Sequence, residues 1–419
     1  MPNKKNELPI ITADQLRVGI YVDLELGWMD HPFTFSHFKI KDDAQIAEIR
    51  KLGLKKVRWD PDKSDTAPAE KESGSEKQET STYIAVPADI PEPGNSGEKS
   101  FAEIRSRLNA VEKAFTETSS ATESIIGKIS SSPTEAVQET AALIDSMTGA
   151  MNNAKDLAVH MVSSNKVKQS IHSHSVNITV LATAFAQTLN LSEEQKSTIG
   201  IGCMLHDVGL GKLPDRFVRN NGPLTKQELI SRKHHCEYGL QMAEKMNLSG
   251  SVMDIIVMHH EYYDGSGYPA GLTGDDIPYE VQLVSMVNFY ERLCNPVNMQ
   301  EATTSHDALS VLYRKHKKQF APDLLKRFIH FMGVYPPGSI VNLSDNRVGI
   351  VLKVYADSPM RPMVMIYDPE VPRNEAVILE LRENKDINIT KAINPSLLPN
   401  TISDYLSPQD RTNYYFDSE

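Results

Sequence analysis

Eight of the thirteen histidines in this chain lie between His160 and His260, and three pairings stand out among them. They are the dipeptide His206-Asp207, the dipeptide His234-His235, and His259-His260 followed by Glu261. Imidazole and carboxylate together are the ligand set that suits iron, manganese or zinc. A single histidine is more often a satisfied ring on a helix face. Five of them with an aspartate, spread over successive apolar segments, read as a metal site. Neighbours on a helix diverge by about 100°, so His206 and Asp207 reach in different directions. A carboxylate has two oxygens and can bridge two ions, while the imidazole completes one shell. Two ions about 3.5–4 Å apart would hold a hydroxide for attack on phosphorus and would neutralise phosphate charge. The reaction class this predicts is metal-assisted phosphoester hydrolysis. Histidine spacing does not name the substrate.

The elements that must position these groups are mostly helical. HSVNITVLATAFAQTLNL reads as a long apolar helix and IGIGCMLHDVG as another. Ser192 with Gln195, and Thr225 with Glu228, have the spacing of capping boxes at helix starts. The block 163–340 is strand-poor, which predicts an all-helical core and a mainly α chain. Beyond it, GSIVNLSDNRVGIVLKVY and PMVMIY read as a small sheet appended to the helices, so 341–419 is a β-rich extension whose polar end lies at the periphery. Before the core, residues 9–60 predict a small α+β domain. Val18, Ile20, Val22 and Leu24 alternate as in a strand, DDAQIAEIRKLGL reads as a helix ended by Gly53, and KKVRWD as a further strand. Trp28 and Trp59 would pack that small core. Residues 61–100 are acidic, Pro-rich and poor in large apolar side chains, which predicts a flexible insertion. Residues 101–162 predict a helical connector.

Composition excludes several classes. Over 419 residues, 44 basic against 55 acidic side chains give a net charge of −11, which argues against a broad nucleic-acid-binding surface. Cys203, Cys236 and Cys294 lie far apart and form no CxxC pair, which fits a reducing compartment. The N-terminus lacks a signal-like apolar core, and no run of about 18 apolar residues occurs. The expectation is a cytoplasmic protein without a membrane span.

MLHDVGLGKLP together with HHEYYDGSGYPAGLTGDDIP resembles the HD-GYP subgroup of the HD phosphohydrolase superfamily. The resemblance covers roughly 165–340. GWMDHPFTFSHFKI and KKVRWDP within 9–60 resemble the domain of unknown function that often precedes bacterial HD-GYP modules. The resemblance implies a phosphodiesterase that opens cyclic di-GMP to pGpG or GMP, or acts on cyclic GMP–AMP, with two or three iron or manganese ions. It implies His174, His206, Asp207, His235, His259 and His260 as metal ligands, with Asp207 the bridge and His206-Asp207 the catalytic pair. Gly267, Tyr268 and Pro269 are the loop that names the subgroup, implicated in contacts with diguanylate cyclase (GGDEF) domains, and Asp264 belongs to the same substrate-facing stretch. A homodimer is left open.

The chain departs from the family pattern at several points. The family aspartate in ADxYDAL is Asn288, in VNFYERL, and the glutamate supporting a third metal is Ser170. The lysine of HDxGK is Leu210, with Lys212 nearest, the arginine of HHERxDG is Tyr262, and RPYR has become CNPVNMQEA. One ligand thereby loses its charge and three usual phosphate contacts are missing. Lys212 and the run YRKHKKQF, with Arg314 and Lys318, are the candidate replacements. A second expectation follows from these losses: a weakened module that senses a nucleotide or binds a partner.

Overall fold

A computed structural model of the chain describes residues 9–24, 33, 37–52, 54, 56–61, 63–67, 98–153, 158–162, 172–218, 224–296, 301–355, 357–406 and 413–416. The first unit is an antiparallel sheet of β1 (Ile10–Ile11), β2 (Tyr21–Asp23), β3 (His37–Lys39) and β4 (Val57–Asp60), in the order β1-β4-β2-β3. Helix α1 (Asp43–Lys51) is capped by Asp42, whose carboxylate accepts from the Gln45 N–H, and it buries Ile46 and Ile49. Ile20, Val22 and Leu24 are buried as their alternation predicts. Val18 is 40% exposed, because Gly19 at φ +94° turns the chain before the strand begins. Trp59 packs against this core. Trp28, Gly53 and most of the 61–100 stretch lie outside the described residues.

Helices α2 (Glu98–Lys128) and α3 (Pro133–Asn153) do more than connect. Phe115, Ile125, Ile129, Ile144 and Met147 are buried in the same hydrophobic core as the histidine-bearing helices. That core is built by α4 (His172–Gln187), α5 (Glu193–Leu205), α8 (His235–Lys245), α9 (Gly250–Met258), α10 (Tyr279–Cys294), α11 (Ser305–Lys315) and α12 (Pro322–Met332), while α6 (Asp215–Val218) and α7 (Lys226–Lys233) lie outside it. Among the described residues of this block no strand occurs, so the fold is mainly α. Both predicted capping boxes form: Ser192 with Gln195 opens α5, and Thr225 with Glu228 opens α7.

The second sheet draws on three parts of the chain. Its strands are β5 (Ala158–Val162), β6 (Ile340–Leu343), β7 (Val348–Tyr355), β8 (Met363–Ile366), β9 (Ile378–Glu380), β10 (Ile389–Ile393) and β11 (Asn413–Phe416), with helix α13 (Asn400–Leu406) before the last. The path runs β10-β6-β7-β5-β11, with β8 on β7 and β9 on β8. Two expectations are corrected here. The sheet is not simply appended, because β5 precedes the histidine helices and pairs with both β7 and β11. The end of the chain is not peripheral either: all four residues of β11 are buried. Tyr414 N–H donates to Asn177 on α4 (3.1 Å), and its hydroxyl meets Ser305 (2.9 Å) and Tyr290 (3.3 Å). Three aromatic residues among polar neighbours are too short a run to reveal this burial in sequence.

Candidate metal centre

The six histidine and aspartate side chains singled out by sequence converge on one point. His174 comes from α4, His206 and Asp207 from the end of α5, His235 from the start of α8, and His259 and His260 from the end of α9. Asp207 meets His235 because the turn at 208–212 packs tightly on α8. A Cβ on Gly209 would lie 2.0 Å from the His235 carbonyl oxygen and 2.5 Å from the Gly239 nitrogen. Only glycine permits that approach.

Four of the five imidazoles are held by their other nitrogen. The Nδ1–H groups of His206, His235 and His259 donate to the carbonyls of Cys203 (2.7 Å), Arg232 (2.7 Å) and Ile256 (2.9 Å), each three residues back. That leaves the Nε2 of these three rings as a lone pair facing the centre. His174 is set by Glu291, whose carboxylate lies 2.5 Å from Nδ1 and also accepts from Asn177 and Asn295. The donor atoms fall into two groups that share Asp207: with His235, His259 and His260, and with His174 and His206.

Polar atoms in this centre are buried without satisfaction. The Nε2 atoms of His174, His206 and His260 and Oδ1 of Asp207 make no acceptable hydrogen bond among the described residues. The Nε2 atoms of His235 and His259 face each other at 3.2 Å although both rings already donate from Nδ1. Two lone pairs at that distance repel unless a cation or proton lies between them. Burial pushes the pKa of His259 down, and those of His206 and His260 well down, so the rings stay neutral and able to ligate. For Asp207 burial acts upward, but the neighbouring His206 and the Arg292 guanidinium hold the carboxyl well below its usual range. The residues present therefore fit a divalent metal ion.

The remaining predicted residues are placed as follows. Asn288 is buried on α10, and its Oδ1 accepts from Arg292 Nε at 3.2 Å. Gly267 lies where a Cβ would come within 2.5 Å of the backbone of residues 260–262. Tyr268 stacks on His260 with ring centroids 4.6 Å apart, and a cis bond joins it to Pro269. Asp264 accepts from the Ser266 N–H and hydroxyl within its own loop. Lys212 and Lys318 are exposed and make no ion pair with the cluster among the described residues; Arg314 is half-buried on α11. Ser170 lies outside the described residues.

Sequence reasoning assigned no role to five contributors. Arg292 Nη2 lies 2.8 Å from Asp207 Oδ2, and its spacing of four from Asn288 on one helix was the available signal. Glu291 orients His174. Glu261, fully buried, accepts from the backbone N–H groups of Ala270, Gly271 and Leu272 and so fastens the loop. Arg232 is half-buried and, with Arg292, supplies the positive charge felt by Tyr268, while Lys233 sits over the Tyr268 ring at 4.4 Å.

Comparison with known proteins agrees with this geometry. Residues 10–140 match the domain of unknown function DUF3391, 152–324 an HD domain, and 340–400 a KOW domain associated with HD domains. The chain is 24% identical over 363 residues to a cyclic di-GMP phosphodiesterase of Pseudomonas aeruginosa, covering 85% of this chain and 84% of the relative. It is 36% identical over 149 residues to the cyclic di-GMP phosphodiesterase response regulator RpfG of Xanthomonas campestris, covering 34% of this chain and 38% of the relative. A 3'3'-cGAMP-specific phosphodiesterase of Vibrio cholerae is 26% identical, over 44% of this chain and 36% of the relative. The chain thus carries an HD domain, with DUF3391 ahead of it and the HD-associated KOW domain after it, and is similar to proteins named cyclic di-GMP phosphodiesterases.

Proposed function

We propose that this chain is a metal-dependent phosphodiesterase that opens a cyclic dinucleotide, cyclic di-GMP or cyclic GMP–AMP. The observation that carries the metal is the pair of unprotonated Nε2 atoms of His235 and His259 facing each other beside Asp207 Oδ1. The substrate class is supported by the names of the relatives. A divalent ion at this centre supplies positive charge against phosphate and lowers the pKa of water for attack on phosphorus. Iron or manganese suits the imidazole and carboxylate donors, and the two ligand groups sharing Asp207 provide for up to two ions.

The chain's own residues do the rest. Backbone carbonyls fix three histidine tautomers, and Glu291 fixes a fourth ring. Arg292 is 25% exposed at its side chain, so its unused N–H groups can reach a phosphate, and Arg232 and Lys233 add charge beside Tyr268. Exposed Asp264, Ser266, Pro269 and Ala270 leave the loop available to a diguanylate cyclase domain. Three buried free cysteines and a nucleotide substrate suit a reducing cytoplasm.

Purified protein loaded anaerobically with Mn²⁺ or Fe²⁺ should convert cyclic di-GMP, or cyclic GMP–AMP, to the linear dinucleotide. Arg292 on Asp207 favours one second reading, a nucleotide sensor that binds without turnover. Tight binding by calorimetry with no linear product over hours would select the sensor and reject the phosphodiesterase.

A further inference from the structure

Asp207 presents its two oxygens to different company. Oδ1 lies 3.2 Å from His235 Nε2 and 3.6 Å from His259 Nε2, with His260 in the same group. Oδ2 lies 3.5 Å from His206 Nε2, 3.8 Å from His174 Nε2 and 2.8 Å from Arg292 Nη2. The same guanidinium donates through Nε to Asn288 Oδ1 at 3.2 Å. Arg292 therefore holds two of the four groups that would surround an ion on this side. Asparagine at 288 supplies no charge to draw a dication in, and a fixed monocation would repel one.

We propose that the centre is mononuclear, with one ion held by Asp207 Oδ1, His235, His259 and His260, and the Arg292 guanidinium occupying the place of a second ion on the Oδ2 side. The proposal rests on the metal-centre reading above and concerns the number of ions. The arginine is a cation that no chelator removes and no oxidant changes. Its planar fork spans the carboxylate and the carboxamide together, a geometry a lysine could not supply. Asn288 and Arg292 act as a unit, one turn apart on α10. A carboxylate at 288 would tie the arginine more strongly and not admit an ion, so both positions must change to build the second site.

The test counts metal rather than product. After Mn²⁺ loading and desalting, elemental analysis of the wild-type chain should give one ion per chain. The spectrum of bound Mn²⁺ should be that of an isolated ion, without spin coupling. The double variant Asn288→Asp/Arg292→Ala should hold two ions and show a coupled pair. Asn288→Asp alone should stay at one. Arg292→Gln, which keeps a polar side chain, guards against a variant that fails to fold, and circular dichroism checks each. Two coupled ions in the wild type, or one ion in a folded double variant, would overturn the proposal. No ion in any folded variant would overturn it together with the metal-centre reading, whereas one ion without phosphodiesterase turnover would refute only the proposed activity.

Discussion

The two sides of the Asp207 carboxylate are built from the same kinds of residue yet differ in what completes them. On the Oδ1 side three histidines converge, and the carboxylate oxygen has no hydrogen-bond donor among the described residues. On the Oδ2 side two histidines are joined by an arginine that already neutralises the oxygen. A histidine cluster is therefore a metal site only so far as its remaining charge is unanswered. Electrostatic completion, more than ligand count, separates the two sides.

Several measurements would break or sharpen that contrast. The largest effect is expected of Asp207→Ala, which removes the one carboxylate serving both sides; metal content should fall to zero and turnover with it. Full occupancy in this variant, read by elemental analysis, would contradict the shared role. Next comes the comparison of His259→Ala with His174→Ala. Losing a ligand should exceed the about 10- to 100-fold penalty of losing an outer partner. The first variant should therefore weaken metal affinity by more than about a hundredfold, the second by less than about tenfold. Equal losses in competition titrations would make the two sides equivalent.

A smaller effect concerns pH. Burial lowers the pKa of His206, His259 and His260, so in the metal-free folded protein they stay neutral below pH 6.5, the usual imidazole value. The unfolded chain takes up those protons as pH falls through about 6.5, so it binds more of them than the folded state and stability declines. The slope for each ring is about 1.4 kcal/mol per pH unit until its folded pKa is reached. Thermal melts of the apoprotein between pH 7.5 and 5.5 should show Tm falling on acidification, and a flat profile would mean the rings are charged when folded.

Gly267→Ala should cost about 1–3 kcal/mol, because the new methyl meets backbone at 2.5 Å and must shift Tyr268 from His260. An unchanged Tm would show that the loop yields freely. The smallest effect is expected of Lys212→Ala. The side chain is exposed and unpaired with the cluster among the described residues, so kcat/KM should change by about twofold or less. A tenfold loss would place that lysine at the phosphates and weaken the case for Arg292, Arg232 and Lys233.

Much of the centre was legible in the chain itself. His206-Asp207, His235 and His259-His260 declare their chemistry by residue type and adjacency, and the capping pairs Ser192–Gln195 and Thr225–Glu228 mark helix starts within hydrogen-bonding reach in sequence. Arg292 was harder to see. In sequence it is a charged residue at the end of an apolar helix, where a solvated head is the ordinary outcome. Lys212, near the lost lysine position, and Arg314 and Lys318, in a basic run, are more conspicuous in the sequence. The end of the chain was misjudged for a related reason, since the burial of Tyr414 depends on partners as distant as Asn177 and Tyr290.

The sequence by itself determined the donor set, the helical class of its scaffold and the glycine that lets the loop at 267 close. Those properties rest on residue type, periodicity and contacts between near neighbours. Only the tertiary structure decided which oxygen of Asp207 each histidine faces, that Glu291 orients His174, and that Arg292 answers the carboxylate's charge. Such choices follow from where α4, α5, α8, α9 and α10 cross. The energy of a charge pair depends on distance and desolvation, and neither quantity exists until the helices have packed.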